Sequence, residues 1–79
     1  MNRNNNKVAI VTGGAKNIGR ATCVELAKLS FNILIHANTD KTGAQETKSL
    51  VDDHKVNSRV VIGDLTDQNF VNDLVNEAS

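Results

Sequence analysis

Short apolar runs alternate along this chain with longer segments whose apolar residues recur every three to four positions. Lys7 to Thr12 is a short β-branched run closed by a glycine pair, and it predicts a strand. Asn32 to His36 and Arg59 to Gly63 predict two more strands of the same kind. Between them, Ile18 to Leu29 reads as a helix, with Ile18, Ala21, Thr22, Val24, Leu26 and Leu29 at helical spacing. Lys41 to His54 reads as a second helix, with Ala44, Thr47, Leu50 and Val51 in one stripe and Thr42 and Gln45 at capping-box spacing, an earlier helix start being the alternative. A last helix is expected from Asp67 to Ala78, capped by Thr66, where Phe70, Val71, Leu74, Val75 and Ala78 recur.

The order is therefore β-α-β-α-β-α. Strands that are apolar throughout, rather than alternating, belong to a parallel sheet covered on both faces. Right-handed crossovers then give a three-stranded parallel sheet of order 3-2-1, with both linking helices on the same face. In such a sheet the chain next crosses to the free side of the first strand. Without that crossing the first strand keeps an open apolar edge, which offers a route to self-association. The chain thus reads as part of a larger fold: residues 1–6 are a polar, asparagine-rich disordered tail, and residues 7–79 are one incomplete domain.

Composition narrows the function classes. Nine basic and nine acidic side chains in 79 residues leave no net charge, which argues against nucleic acid or a membrane surface as a partner. The apolar runs are too short to span a bilayer, and no segment has the form of a signal peptide. A cytoplasmic location is expected by default. The single cysteine, Cys23, makes no internal disulfide, and with two scattered histidines it makes no metal site.

The stretch from Val11 to Arg20 carries the chemistry. A strand runs into Gly13 and Gly14, and a helix starts shortly after. The first-turn N–H groups of such a helix lack internal partners, and the helix dipole favours an anion beside them. A phosphate or pyrophosphate is the expected ligand. The G-x-G-x-x-G fingerprint is absent. A G-x-x-x-x-G-K-[ST] loop is matched from Gly14 to Gly19, but Arg20 and Ala21 follow where lysine and a hydroxyl residue are needed.

The same stretch resembles the T-G-x-x-x-G-x-G motif of the short-chain dehydrogenase/reductase family. Thr12, Gly13, Ile18 and Gly19 fall on it in register, and Asn17 stands where the middle glycine is usual. Asparagine is the non-glycine residue that best tolerates a left-handed backbone. A non-glycine residue there is also found among relatives of pteridine reductase, and the loop is similar to that of 3-oxoacyl-carrier-protein reductases. Gly63-Asp64-Leu65-Thr66-Asp67 resembles the family's D-[LV]-[TS]-D segment, whose first aspartate contacts the adenine amino group. Read without the resemblance, Asp64 is a strand-ending, loop-capping aspartate.

The resemblance covers nearly the whole chain. It implies a partial Rossmann (doubly wound) α/β fold and a dinucleotide cofactor, with Gly13, Lys16, Asn17, Ile18, Gly19, Asn38, Asp64 and Leu65 as cofactor-binding residues. In the family an acidic residue at the end of the second strand selects NAD. Ala37 occupies that position here, followed by Asn38 and Thr39, and Lys16 offers a cation to a 2′-phosphate. NADP is the expected cofactor and NAD the second choice. A three-residue shift in register would bring Asp40 to the ribose and favour NAD.

The family's catalytic serine, tyrosine and lysine find no match, and the chain contains no tyrosine. No catalytic residue is assigned, and the chain alone is expected to be inactive. Its expected role is the NADP(H)-binding segment of a carbonyl/alcohol oxidoreductase. The alternative is a non-catalytic remnant or stand-alone nucleotide-binding or interaction module. Cys23 is expected to pack as a small hydrophobe, Phe31 and Phe70 to enter the core, and Arg20 to form a surface salt bridge. His36 is expected to hydrogen-bond at its strand end.

Overall fold

Three strands and two helices follow one another as β1 (Val8–Val11), α1 (Asn17–Lys28), β2 (Asn32–Ala37), α2 (Lys41–Asp52) and β3 (Ser58–Ile62). They are seen in a computed structural model of the chain, which describes residues 7–70 and 72. The strands are all parallel, in the order β1-β2-β3, which is the expected 3-2-1 arrangement read from the other edge. Register sets Val11 beside Ile35, and Ala37 beside Ile62, so the C-terminal ends of all three strands lie along one side of the sheet.

Alternation along the strands divides the sheet into two faces. Val11, Ile33, Ile35 and Ala37 form one buried cluster with Cys23 and Ala27 of α1 and Ala44 and Val51 of α2. Both helices therefore cover the same face, as right-handed crossovers require. Val60 and Ile62 of β3 pack against this cluster. Each fully buried Ile33, Ile35 or Val51 contributes about 1.5–3 kcal/mol. On the other face Leu34 and His36 are buried, whereas Val8 and Ile10 stay exposed. Phe70 approaches His36 there, with ring centroids 5.7 Å apart.

The face that α1 buries is not marked by its largest apolar residues. The sheet takes Cys23 and Ala27, small residues four apart that let the helix sit close. Ile18 and Leu29, two of the apolar residues of the expected helix, are 83% and 60% exposed. With Ala21, Thr22, Glu25 and Leu26 they line a shallow groove on the flank of α1. The stripe on α2 is as expected for Ala44, Thr47 and Val51, while Leu50 lies outside it.

Two caps also differ from expectation. Asp40, not Thr42, caps α2, and its side chain accepts the Gly43 N–H. Asp67, not Thr66, accepts the N–H groups of Asn69 and Phe70. In α2, Asp40 stands three residues before a free amide, whereas Thr42 already lies inside the helix. Helical backbone follows at residues 68–70 and 72. The remainder of the expected last helix, and the expected N-terminal tail, lie outside the described residues. Ends of the other elements shift by one or two residues, where helices and strands fray.

The end of α1 relies on Ser30, whose φ is +73°. Ser30 N–H donates to the Ala27 carbonyl and Phe31 N–H to that of Leu26, a left-handed helix stop that turns Phe31 back toward the core.

Candidate functional site

The chain between β1 and α1 makes its bend with two left-handed residues, Gly13 at φ +66° and Asn17 at φ +56°. Asn17 thus adopts the conformation that its place in the motif demands. The Gly14 N–H donates to the His36 carbonyl at 2.8 Å, which folds the bend over the end of β2. A Cβ on Gly14 would lie 2.8 Å from Ile35 Cγ2 and 3.3 Å from Cys23 Sγ, so the bend rests directly on the core. A Cβ on Gly19 would overlap the Gly13 carbonyl oxygen. That close approach seats the first turn of α1 against the bend.

The two helix starts differ. α2 is capped by Asp40, whereas Lys16 leads into α1 with extended backbone, no side-chain cap and no acidic residue in the first turn. The first-turn amides of α1 are therefore left to an outside acceptor. Helix-start amides without a cap suit a close-lying phosphate group.

Arg20 does far more than form a surface salt bridge. It does pair with Glu46, at 3.2 Å. Its Nε also donates to the Thr47 hydroxyl at 3.0 Å, and its Nη2 to the carbonyls of Ala15 at 2.5 Å and Gly43 at 3.0 Å. The buried Thr47 hydroxyl lies 2.7 Å from the Gly14 carbonyl, to which it donates. These residues were not legible as a pair. They are far apart in sequence, and Thr47 reads there only as one member of an amphipathic stripe.

His36 joins the three strand ends. Its backbone carbonyl holds the Gly14 N–H, and its ring Nε2 lies 2.9 Å from the Gly63 carbonyl. Since a carbonyl only accepts, Nε2 is the donor. Gly63 N–H donates in turn to the Ala37 carbonyl at 3.1 Å. The bend and Asp64 are thus each one residue or less from a tether to the same strand end. Asp64 is exposed and accepts the Thr66 N–H at 2.8 Å, the loop-capping geometry also weighed from sequence. Hydrogen bonds from the Thr66 backbone and hydroxyl hold its carboxyl below the usual carboxylate range. Leu65 is exposed beside it.

The structure brings Gly13, Lys16, Asn17, Ile18 and Gly19 into one bend, and sets Asn38 and Asp64 at neighbouring strand ends. Lys16 and Asn38 are exposed, and Lys16 has no ion-pair partner among the described residues. Ala37 is buried. Cys23 lies fully buried beneath the bend, where desolvation pushes its thiol up to about 11. Among the described residues no group of histidine, cysteine, aspartate and glutamate side chains could hold a metal ion. No described helix is long and apolar enough to cross a membrane.

The sequence pattern defining the family described as short chain dehydrogenase matches residues 7–79. The chain belongs to the short-chain dehydrogenase family. Membership carries with it a nicotinamide dinucleotide cofactor, NAD or NADP. The uncharacterised oxidoreductase YhxC of Bacillus subtilis is 41% identical over 73 residues, which cover 92% of this chain and 26% of that protein. The chain spans about a quarter of the length of the first such curated relatives. The short-chain dehydrogenase/reductase homologue YusS of Bacillus subtilis is 29% identical over 70 residues, 89% of this chain and 64% of that protein. Among solved structures, NAD+-bound xylitol dehydrogenase superposes with a TM-score of 0.85 at 28% identity, over 95% of this chain and 28% of that one. Over the matched residues that structure shares the partial Rossmann fold described above.

Proposed function

We propose that this short-chain dehydrogenase segment binds NADP(H) for a carbonyl/alcohol oxidoreductase. The bend of Gly13, Lys16, Asn17, Ile18 and Gly19 receives the diphosphate, Asp64 and Leu65 flank the adenine, and Asn38 faces the ribose. The observation that carries this reading is the seating of Gly19 against Gly13 at a helix start whose backbone amides have no side-chain cap. The dinucleotide, when bound, supplies or accepts hydride. The chain's own residues hold its adenosine half, and the tyrosine that the family uses to move the accompanying proton is not among them.

Three features support NADP over NAD. Ala37 offers no carboxylate to the ribose hydroxyls. The Asp40 side chain is engaged with the Gly43 N–H at 2.8 Å, which draws it to the helix cap. The exposed Lys16 provides a cation for a 2′-phosphate. The resemblance to NAD+-bound xylitol dehydrogenase favours NAD as the second choice.

A second reading, a stand-alone nucleotide-binding module, draws support from YusS, of which this chain covers 64%. Among the described residues β1 is an end strand of the sheet, which also supports self-association or pairing with a further strand.

Titration of the chain with NADPH, NADH and ATP with magnesium tests the main reading. Tighter binding of NADPH than NADH is expected, with ATP weakest. A preference for ATP with magnesium would remove the dehydrogenase assignment of the bend. Equal binding of the two reduced dinucleotides would remove only the NADP choice.

A further inference from the structure

Buried carbonyls need donors, and those of Gly14 and Ala15 find theirs in side chains rather than in backbone. The two donors work as a chain. The Nε–H of Arg20 donates to Thr47 Oγ1, and the single Thr47 proton goes to the Gly14 carbonyl at 2.7 Å in preference to that of Gly43 at 3.2 Å. A hydroxyl that accepts from a cation donates more strongly. The two protons on Arg20 Nη2 are spread over three acceptors, of which the Ala15 carbonyl is nearest. The Glu46 partner is 65% exposed and accounts for only one of these bonds.

Peptide planarity converts these bonds into a direction. In a trans peptide the N–H points opposite to the preceding C=O. With the Gly14 carbonyl pulled toward Thr47, the Ala15 N–H faces away from α2. With the Ala15 carbonyl pulled toward Arg20, the Lys16 N–H does the same. Neither N–H has a hydrogen-bond partner among the described residues. Successive outward amides at the mouth of a helix form an anion-receiving concavity.

We propose that Arg20 and Thr47 are positioning residues, which preset the amides of Ala15 and Lys16 for the diphosphate and lock the bend to the start of α2. The proposal rests on the dinucleotide reading above and deepens it. Neither side chain touches the ligand; both act through the carbonyls they hold. The fork of Arg20 matters, not merely its charge, because a lysine offers one point of attachment where four separate acceptors are held.

The test uses the whole chain and its variants T47V, T47S, R20K and R20M, titrated with ADP and with adenosine and followed by backbone amide chemical shifts. ADP carries the diphosphate and adenosine does not. T47V and R20K are expected to bind ADP about tenfold more weakly, about 1.4 kcal/mol, while adenosine binding changes less than twofold. T47S keeps the hydroxyl and is expected to bind ADP as wild type does. Hydrogen exchange at Ala15 and Lys16 supplies a ligand-free reading, with faster exchange expected in T47V. Should T47V fail to fold, R20K and T47S still decide the matter.

Wild-type ADP binding in both T47V and R20K would overturn the proposal. So would parallel losses for ADP and adenosine, which mark general loosening. R20K binding like wild type while R20M binds weakly would show charge alone at work and overturn it too. If the wild-type chain binds neither NADPH nor ADP, the dinucleotide reading has failed and the positioning role falls with it, a result recognisable because no variant is involved.

Discussion

Replacing Gly19 by alanine sets two effects against each other. In an unobstructed helix the change stabilises by about 1 kcal/mol, since alanine loses less backbone freedom on folding. At Gly19 the added Cβ would overlap the Gly13 carbonyl oxygen, and lie 2.6 Å from the Gly13 carbonyl carbon and 3.0 Å from Gly14 Cα. All are backbone atoms of the bend, so no side chain can swing aside. Overpacking of this kind costs about 1–3 kcal/mol, which leaves a net loss of about 0–2 kcal/mol. Urea unfolding without ligand measures that net term.

The displaced bend carries a second cost in binding. At a dinucleotide concentration about a hundred times the wild-type Kd, the ligand stabilises the fold by about 2.7 kcal/mol; a tenfold weaker Kd leaves about 1.4 kcal/mol. For a domain this size the difference removes about 5–10 °C of the ligand-induced rise in Tm. Melting curves with and without NADPH read it directly. A Gly19→Ala variant that gains about 1 kcal/mol in stability, and keeps the full ligand-induced rise, would refute the seating of α1 on the bend.

Three further outcomes follow from the same geometry. Lys16→Glu is expected to weaken NADPH binding by tenfold or more, about 1.4 kcal/mol, and NADH binding much less; equal losses in paired titrations would dismiss Lys16 as the 2′-phosphate contact. Asp64 has a carboxyl pKa held below its unfolded value, so its contribution is intact above about pH 4 and is lost as pH falls toward the folded value. The wild-type Tm should therefore fall slightly more steeply on acidification than that of Asp64→Asn, and coincident acid limbs would contradict the Thr66 hydrogen bonds. Cys23, buried and with its thiol pushed up to about 11, should resist alkylation in the folded chain at mildly alkaline pH and react rapidly in urea; equal rates would show that it is not beneath the bend.

The sheet was legible because its strands announce themselves as unbroken apolar runs, and parallel order follows from the intervening helices. The bend was legible because glycine and asparagine are the residues that tolerate its left-handed turns, and both Gly13 and Asn17 adopt them. The face that α1 buries was not legible, for a physical reason. Residue size alone suggests that Ile18 and Leu29 go inward, but close packing on a sheet selects the small Cys23 and Ala27. The capping box at Thr42 fitted a spacing rule, yet Asp40 stood just upstream with a stronger acceptor. Arg20 and Thr47 left no local mark, because a side chain that serves a distant carbonyl has no periodicity to betray it.

The placement of His36 has a dynamic consequence. One residue holds Gly14 with its carbonyl and Gly63 with its ring, while its neighbour Ala37 receives the Gly63 N–H. This makes the end of β2 a fulcrum for the whole rim. A fluctuation that unzips it would release the first crossover and the third strand's exit together, so the rim is expected to open as one cooperative unit. The amide protons of Gly14 and Gly63 are then expected to exchange with a common opening free energy, and whatever steadies one end of the rim should slow solvent exchange at the other.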